Sequence, residues 1–185
     1  MIIRWPKNNW KREVNSLIYQ VDIAATLIDS FKLNIPDFWD GISLKSNLDN
    51  DMITGRDYLV ISQNAWSCQR TIRFDNWTLI KTYHTGLKNF PEIMLFDYEK
   101  DFHMTKNLAT EEPEIVKMGL KHLETWHNEM LGDQHYSEDP METVLREGGP
   151  FHTRGQMKGY LKHLEKSGRG EMVKIIKNRN EIYSL

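Results

Sequence analysis

The sequence has one cysteine, Cys68, no large excess of charge of either sign and no long apolar run. A single thiol excludes an internal disulfide framework and any zinc or iron–sulfur site built from several cysteines. The 24 Lys and Arg residues nearly balance the 26 Asp and Glu residues, for a net charge of -2. This balance predicts neither nucleic acid nor an anionic membrane as a partner, and no run approaches the ~20 apolar residues that span a bilayer.

The composition is that of a globular protein. Hydrophobic residues make up 39% and charged residues 27% of the 185 residues, which are ordinary values for a chain that can bury a core. The first residues lack the basic segment and apolar core of a signal peptide, so none is predicted within this sequence.

A meander of strands is predicted in the middle of the chain, with helices after it. Polar and apolar side chains alternate in the segments that flank Asp75-Asn76, and both residues tolerate the positive φ of a hairpin tip. Pro113 is typical of an early helix position, and apolar side chains recur at helical spacing after it. The predicted strands are 58–61, 70–74, 77–83 and 92–97, and the predicted later helices are 141–147, 158–166 and 171–177. The fold class is therefore α+β: a small antiparallel sheet of about four strands packed with a helix.

The beginning of the chain carries weaker signals. Residues 2–6 are typical of a short strand that a proline ends, and residues 14–20 are typical of a second extended piece. Asp22 is predicted to cap a helix over residues 23–31. Residues 47–51 are polar enough to form a linker.

Several short stretches occur here in a fixed order. They are Ile2-Ile3-Arg4-Trp5-Pro6, Val21-Asp22-Ile23-Ala24-Ala25-Thr26-Leu27-Ile28-Asp29, Asp40-Gly41-Ile42-Ser43-Leu44, Arg70-Thr71-Ile72-Arg73, Trp77-Thr78-Leu79-Ile80, Leu95-Phe96-Asp97 and Asn107-Leu108-Ala109. Each stretch is weak by itself. Their order and spacing across residues 1 to 130 resemble the C-terminal part of the sulfatase family, in the alkaline phosphatase superfamily.

The resemblance implies three segments. Residues 1–48 would be the end of the large sulfatase α/β domain, residues 49–131 the C-terminal antiparallel-sheet subdomain with its helix, and residues 132–185 a helical C-terminal extension. The strand and helix of the first segment would be left over from the large domain, where other strands bury them. We therefore expect residues 1–35 to expose apolar surface, and the chain to form homo-oligomers through them or to leave them disordered.

The resemblance also implies that the catalytic half is missing. Sulfatases use a formylglycine nucleophile, made in a Cys/Ser-x-Pro/Ala-x-Arg motif, at a calcium site of Asp and Asn oxygens. Cys68 is followed by Gln69 and Arg70, which do not fit that motif, so we interpret it as a half-buried strand thiol. Asp49 and Asp51 are interpreted as a solvated acidic turn. We expect no catalytic residue, no metal site and no cofactor in this fragment, which should be inactive alone, whereas the intact parent would need calcium.

Two segments are candidates for substrate contacts. Asn64 and Trp66 precede a predicted strand, with His84 expected across the hairpin, and Trp and Asn suit carbohydrate by stacking and by paired hydrogen bonds. His152 and Arg154 lie in a glycine-flanked run that suits an anionic group. Both segments also fit plain structural roles, the first as a cap on the sheet core and the second as a loop between helices.

Three functions are compatible with the sequence. The first is the C-terminal subdomain of a sulfuric ester hydrolase, whose partners would be its N-terminal catalytic half and a sulfate ester substrate. The second is a part of a phosphonate or phosphodiester hydrolase of the same superfamily. The third is a non-catalytic binding or assembly module. Both the bacterial cytoplasm and the periplasm are compatible locations.

Overall fold

The computed structural model describes residues 2–5, 11, 13–49, 55–132 and 138–183, the last five of these by their backbone alone. The chain divides into two compact units, Met1–Leu59 and Val60–Leu185. None of the described helices is both long and apolar enough to cross a membrane.

The first unit contains two helices, α1 (Val21–Ser30) and α2 (Lys45–Asp49). Asp22, predicted to be a helix cap, lies inside the first turn of α1, and Gln20 is the residue that precedes the helix. The buried carboxylate of Asp22 accepts hydrogen bonds from the backbone N–H of Ile42 at 2.9 Å and from the guanidinium of Arg56. The capping prediction was wrong because Ile42 and Arg56 lie far along the chain, where a local pattern does not reveal them.

The strand predicted at the start of the chain is absent from the described residues 2–5. A strand is held by hydrogen bonds to a neighbour, and no described residue pairs with this segment. Trp5 instead donates its indole N–H to Asp49 Oδ1 at 2.7 Å. The strand prediction was therefore wrong for these four residues.

Two further segments of the first unit differ from the prediction. The extended piece at 14–20 contributes a single antiparallel bridge, from Leu17 to Arg56. Residues 47–49, predicted to be linker, belong to α2, and positions 50 and 51 lie outside the described residues.

The centre of the chain is a four-stranded sheet. Its strands are β1 (Tyr58–Gln63), β2 (Cys68–Phe74), β3 (Trp77–His84) and β4 (Ile93–Asp97), in the order β1-β2-β3-β4. Phe74 pairs with Trp77 across the antiparallel β2–β3 hairpin, and Asp75 adopts a φ of +45° between them. The predicted strands and the predicted Asp75-Asn76 hairpin tip are confirmed.

The core lies between the sheet and a long helix, α3 (Pro113–Gly132). Phe74, Leu79 and Leu95 are at most 1% exposed, and burial of each such side chain contributes about 1.5–3 kcal/mol. The helix approaches closely at Gly119, where a Cβ atom would lie 2.9 Å from both Phe74 Cε1 and Leu79 Cδ1. Glycine at this position therefore lets α3 pack directly on the sheet.

The predicted helical extension is also confirmed. It contains α4 (Pro140–Arg146), a 3-10 turn (Phe151–Thr153), α5 (Met157–Lys166) and α6 (Gly170–Tyr183). The last two helices form a hairpin around buried Leu164, Val173 and Ile176. The chain is therefore an α+β protein, as the sequence predicted.

Candidate functional site

The two segments predicted to contact substrate lie side by side in the structure. Trp66, in the loop before β2, packs against His152 of the 3-10 turn with ring centroids 5.4 Å apart and planes tilted by 58°. Trp66 is 65% exposed and the adjacent Phe151 is 85% exposed. Two aromatic rings are thus presented on one surface, which we call the Trp66–His152 surface. It consists of Trp66, Lys88, Phe151, His152 and Arg154, with His84 beneath them.

The Trp66 loop is held by the connection between β3 and β4. Gly86 adopts a φ of +64°, and a Cβ atom there would lie only 1.7 Å from the Trp66 carbonyl oxygen, so any other residue would displace the loop. Lys88 donates from Nζ to the same carbonyl at 3.1 Å and lies over the Trp66 ring at 5.5 Å. The ammonium group of Lys88 therefore lies beside the exposed indole of Trp66. The sequence did not predict this contact, because no local motif links the two residues.

His84 connects the extension to the sheet. A Cβ atom on Gly149 would lie 2.5–2.7 Å from three atoms of the His84 ring, so the glycine lets the loop rest on the imidazole. His84 Nδ1 accepts a hydrogen bond from the Gly86 N–H at 3.1 Å. Burial lowers the pKa of His84 below its ordinary value, and the charge of nearby His152 lowers it further. His84 therefore acts as a neutral support beneath the loop.

Arg154 is fixed on the same loop. Its Nε donates to the Gly149 carbonyl at 3.1 Å, its guanidinium pairs with Glu147 at 2.7 Å, and it lies 5.7 Å over the Phe151 ring. The side chain is about one third exposed, so part of its charge faces solvent. The surface therefore offers a fixed cation beside the aromatic rings.

The remaining predicted residue, Asn64, is half-buried, and its Oδ1 has no hydrogen-bond partner among the described residues. Trp66, His84, His152 and Arg154 are thus brought together, and Asn64 lies on the strand-connecting loop that leads to Trp66. Beneath the surface, burial raises the pKa of Cys68 to about 11, against the opposing charge of Arg154. Cys68 is a strand thiol, as predicted, but it is fully buried instead of half-buried, because the loop and the extension cover the start of β2.

A second cluster of polar side chains, Arg70, His127 and Asp139, lines a cavity of about 460 Å³ between the sheet, α3 and α4. Arg70 and Asp139 form a buried ion pair, and His127 Nε2 lies 3.1 Å from the same carboxylate oxygen. Burial by itself would raise the pKa of Asp139, but the hydrogen bonds from Arg70 and the Met141 N–H outweigh it and hold this pKa below its ordinary value. The pair is therefore charged, and it joins β2 to the start of α4.

His127, Asp139 and Glu142 place potential metal-ligand atoms within 4.8 Å of one another. Asp139 already accepts from Arg70 through Oδ2 and from the Met141 N–H through Oδ1. The guanidinium of Arg70 opposes a second cation at this carboxylate. The geometry therefore favours a structural ion pair over a metal centre.

Known proteins resemble this chain as follows. The family described as N-sulphoglucosamine sulphohydrolase, C-terminal, has a sequence model that matches residues 1–129, in agreement with the resemblance found over residues 1 to 130. A protein solved in complex with its substrate D-glucosamine-2-N,6-O-disulfate is 22% identical, with a TM-score of 0.53, over 66% of this chain and 25% of that chain. A candidate sulfatase from Bacteroides fragilis is 20% identical, with a TM-score of 0.50, over 69% of this chain and 27% of that chain.

Similarity at these identities establishes the fold. The chain spans about a quarter of the length of these solved chains. No curated protein matches the sequence.

Proposed function

Because the chain belongs to the N-sulphoglucosamine sulphohydrolase C-terminal family, we propose that it works as the C-terminal subdomain of a sulfatase, a hydrolase of sulfuric esters. The nucleophile and the calcium site would belong to the part of the parent that precedes this chain. The 185 residues would then be inactive alone. The family match over residues 1–129 and the sulfatase-like fold support this proposal.

The first unit supports a contact with that catalytic part. Large apolar side chains between positions 21 and 42 are 38–73% exposed: Val21, Leu27, Phe31, Leu33, Phe38, Trp39 and Ile42. Contiguous exposed apolar surface is typical of an interface. The catalytic part would cover these side chains, and without it the chain would associate with itself through residues 1–35.

The observation that carries a role in substrate binding is the Trp66–His152 surface. An exposed aromatic ring stacks on the apolar face of a sugar, and Lys88, His152 and Arg154 supply groups that bind an anionic substituent. The neighbour solved with D-glucosamine-2-N,6-O-disulfate has a substrate that combines these two features. The substrate class we propose is therefore an anionic saccharide.

Titration of the chain with glucosamine 6-sulfate tests this role. In the ¹H–¹⁵N spectrum, the indole signal of Trp66, assigned by its loss in Trp66→Phe, should shift on addition of the sugar and stay in place with unsulfated glucosamine. Arg154→Gln should weaken the binding by about 10- to 150-fold, since a charged hydrogen bond contributes about 1.5–3 kcal/mol.

Arg146→Gln is the matched control, because Arg146 is exposed, belongs to α4 and makes its contacts with Glu138 and Thr143 instead of with residues of the loop that carries His152. Equal effects of the two arginine variants, or no shift of the Trp66 signal at millimolar sugar, would contradict the proposed contact.

A further inference from the structure

The α5–α6 hairpin carries an unbalanced positive face. Lys158, Lys162 and Lys166 follow one another at intervals of four residues along α5 and are all exposed. Four-residue spacing places side chains on one face of a helix. Between positions 157 and 178 six Lys and Arg side chains stand against two glutamates, although the whole chain carries a net charge of -2. We call the three lysines of α5 the lysine face.

Among the described residues no ion pair joins any of the three lysines to an acidic side chain, although Glu165 of the same helix lies three residues after Lys162. The contrast is α3, which also exposes two lysines four residues apart, Lys117 and Lys121. That pair is flanked on the same helix by Glu114 and Glu124. The helix α5 thus carries three lysines against one glutamate, whereas α3 carries two lysines against three glutamates.

The spacing of the three lysines destabilises α5 through charge repulsion. Successive lysines are about 6 Å apart along the axis, closer than the Debye length of about 8 Å at physiological ionic strength. Their fields therefore add, and like charges at this spacing destabilise a helix. A bound polyanion would remove this repulsion.

The opposite face of α5 is already occupied. Leu164 is buried against Val173 and Ile176 of α6, with Tyr160 and Leu161 packed beside them. The hairpin therefore keeps no free apolar stripe on α5 with which to enter a membrane, and its tyrosine is engaged in the core instead of being open for stacking on bases. The solvent-exposed face of α5 therefore presents mainly the charged lysine side chains.

We propose that the lysine face binds an acidic polysaccharide, a chain of sugars that carry sulfate or carboxylate groups. This inference rests on the proposed function, because such a polymer would present the single residue that the Trp66–His152 surface contacts. Outside positions 157 to 178 the chain has more acidic than basic residues, so it lacks the broad basic surface typical of nucleic-acid binding. The saccharide contacts proposed for the Trp66–His152 surface favour a polysaccharide instead. The extension would thus hold the polymer while the sheet subdomain binds one sugar.

Binding of the full chain to dextran sulfate, measured by calorimetry at physiological salt, tests the proposal. Neutral dextran is the uncharged probe, polygalacturonate the carboxylate probe and duplex DNA the competing polyanion. Lys158→Gln with Lys162→Gln should weaken dextran sulfate binding about 25-fold, at about fivefold for each lysine. The matched control, Lys117→Gln with Lys121→Gln, should change it less than about twofold.

Thermal melting separates lost binding from lost folding. The α5 double variant should melt no lower than the unmodified chain, because removing like charges relieves repulsion. Equal weakening by the α3 variant, binding to neutral dextran, or tighter binding to duplex DNA than to dextran sulfate would overturn the proposal.

Two variants distinguish this inference from the proposed function. The α5 variant should leave binding of glucosamine 6-sulfate unchanged, and Arg154→Gln should leave dextran sulfate binding within about twofold. If Arg154→Gln lost dextran sulfate binding and the α5 variant kept it, the Trp66–His152 surface would bind both ligands. The lysine face would then have no separate role.

Discussion

Arg70 Nη2 lies 2.6 Å from Asp139 Oδ2, and both side chains are at most 7% exposed. The guanidinium of Arg70 also lies 5.0 Å from the ring centroid of Trp126 on α3. The family model matches residues 1–129, so the ion pair joins Arg70 inside that segment to Asp139 outside it. The extension therefore supplies the counter-charge for an arginine of the sheet.

Replacement of Arg70 by Met should lower the free energy of unfolding by about 3–5 kcal/mol, because it leaves the buried Asp139 carboxylate without its guanidinium partner. Urea unfolding at pH 7 measures the change. The double variant Arg70→Met with Asp139→Asn should lose less than the single variant. The exposed pair of Arg146 and Glu138 provides the comparison, where Arg146→Gln should cost less than about 1 kcal/mol.

Stability should fall on acidification below about pH 5. Asp22 and Asp139 both have folded pKa values below the ordinary 3.8, through Arg56 and Arg70 respectively. A carboxylate with a lowered folded pKa stabilises the fold above its unfolded pKa, and this contribution is lost as pH falls through the folded pKa. Urea midpoints measured from pH 7 to pH 3 should therefore decline below about pH 5. A smaller decline is expected for Asp139→Asn, and an identical decline would contradict this assignment.

Gly119→Ala and Gly159→Ala should have opposite effects. Both glycines lie within helices, where alanine is favoured by up to about 1 kcal/mol. A Cβ atom at Gly119 would lie 2.9 Å from Phe74 and Leu79 side-chain atoms, whereas nothing lies within 4 Å at Gly159. Overpacking typically costs about 1–3 kcal/mol, so the first variant should be destabilised and the second stabilised. Thermal melting of both variants checks this, and stabilisation of both would show that α3 moves to accommodate the methyl group.

Gly149→Ala should disrupt the Trp66–His152 surface more than Gly148→Ala. The two glycines share positive φ values of +88° and +90°, but only a Cβ at Gly149 would meet the His84 ring, at 2.5 Å. Both variants carry backbone strain of order 1 kcal/mol, so the difference between them isolates the clash. We expect the Trp66 indole signal to move in Gly149→Ala and to remain in Gly148→Ala. Unchanged signals in both would show that the loop does not rest on His84.

Local patterns predicted local structure well. The β2–β3 hairpin was predictable because alternation and the Asp75-Asn76 turn are short-range properties of the chain. The contact of Trp66 with His152 could not be predicted, since it depends on how the extension folds back onto the β3–β4 connection. The two segments were identified separately by their chemistry, and only the fold brought them together.

In the first unit, local patterns predicted the structure poorly. The apolar run before Pro6 was interpreted as a strand, but strand formation depends on a neighbour that a single segment does not specify. Asp22 was assigned to a cap because Asp before an apolar helix face commonly has that role. Its hydrogen bonds to Ile42 and Arg56 come from two later loops, and no spacing rule connects three such distant positions.

The fully buried Cys68 has a practical consequence for labelling chemistry. With a pKa of about 11, only about one thiol in 10⁴ is ionised at neutral pH, and the thiolate is the reactive form. A maleimide should therefore leave the native chain unmodified. Because Cys68 is the one cysteine in the sequence, a second cysteine introduced on the exposed surface would be the single reactive thiol. Fluorescent dyes or spin labels could be attached there without first replacing the native residue.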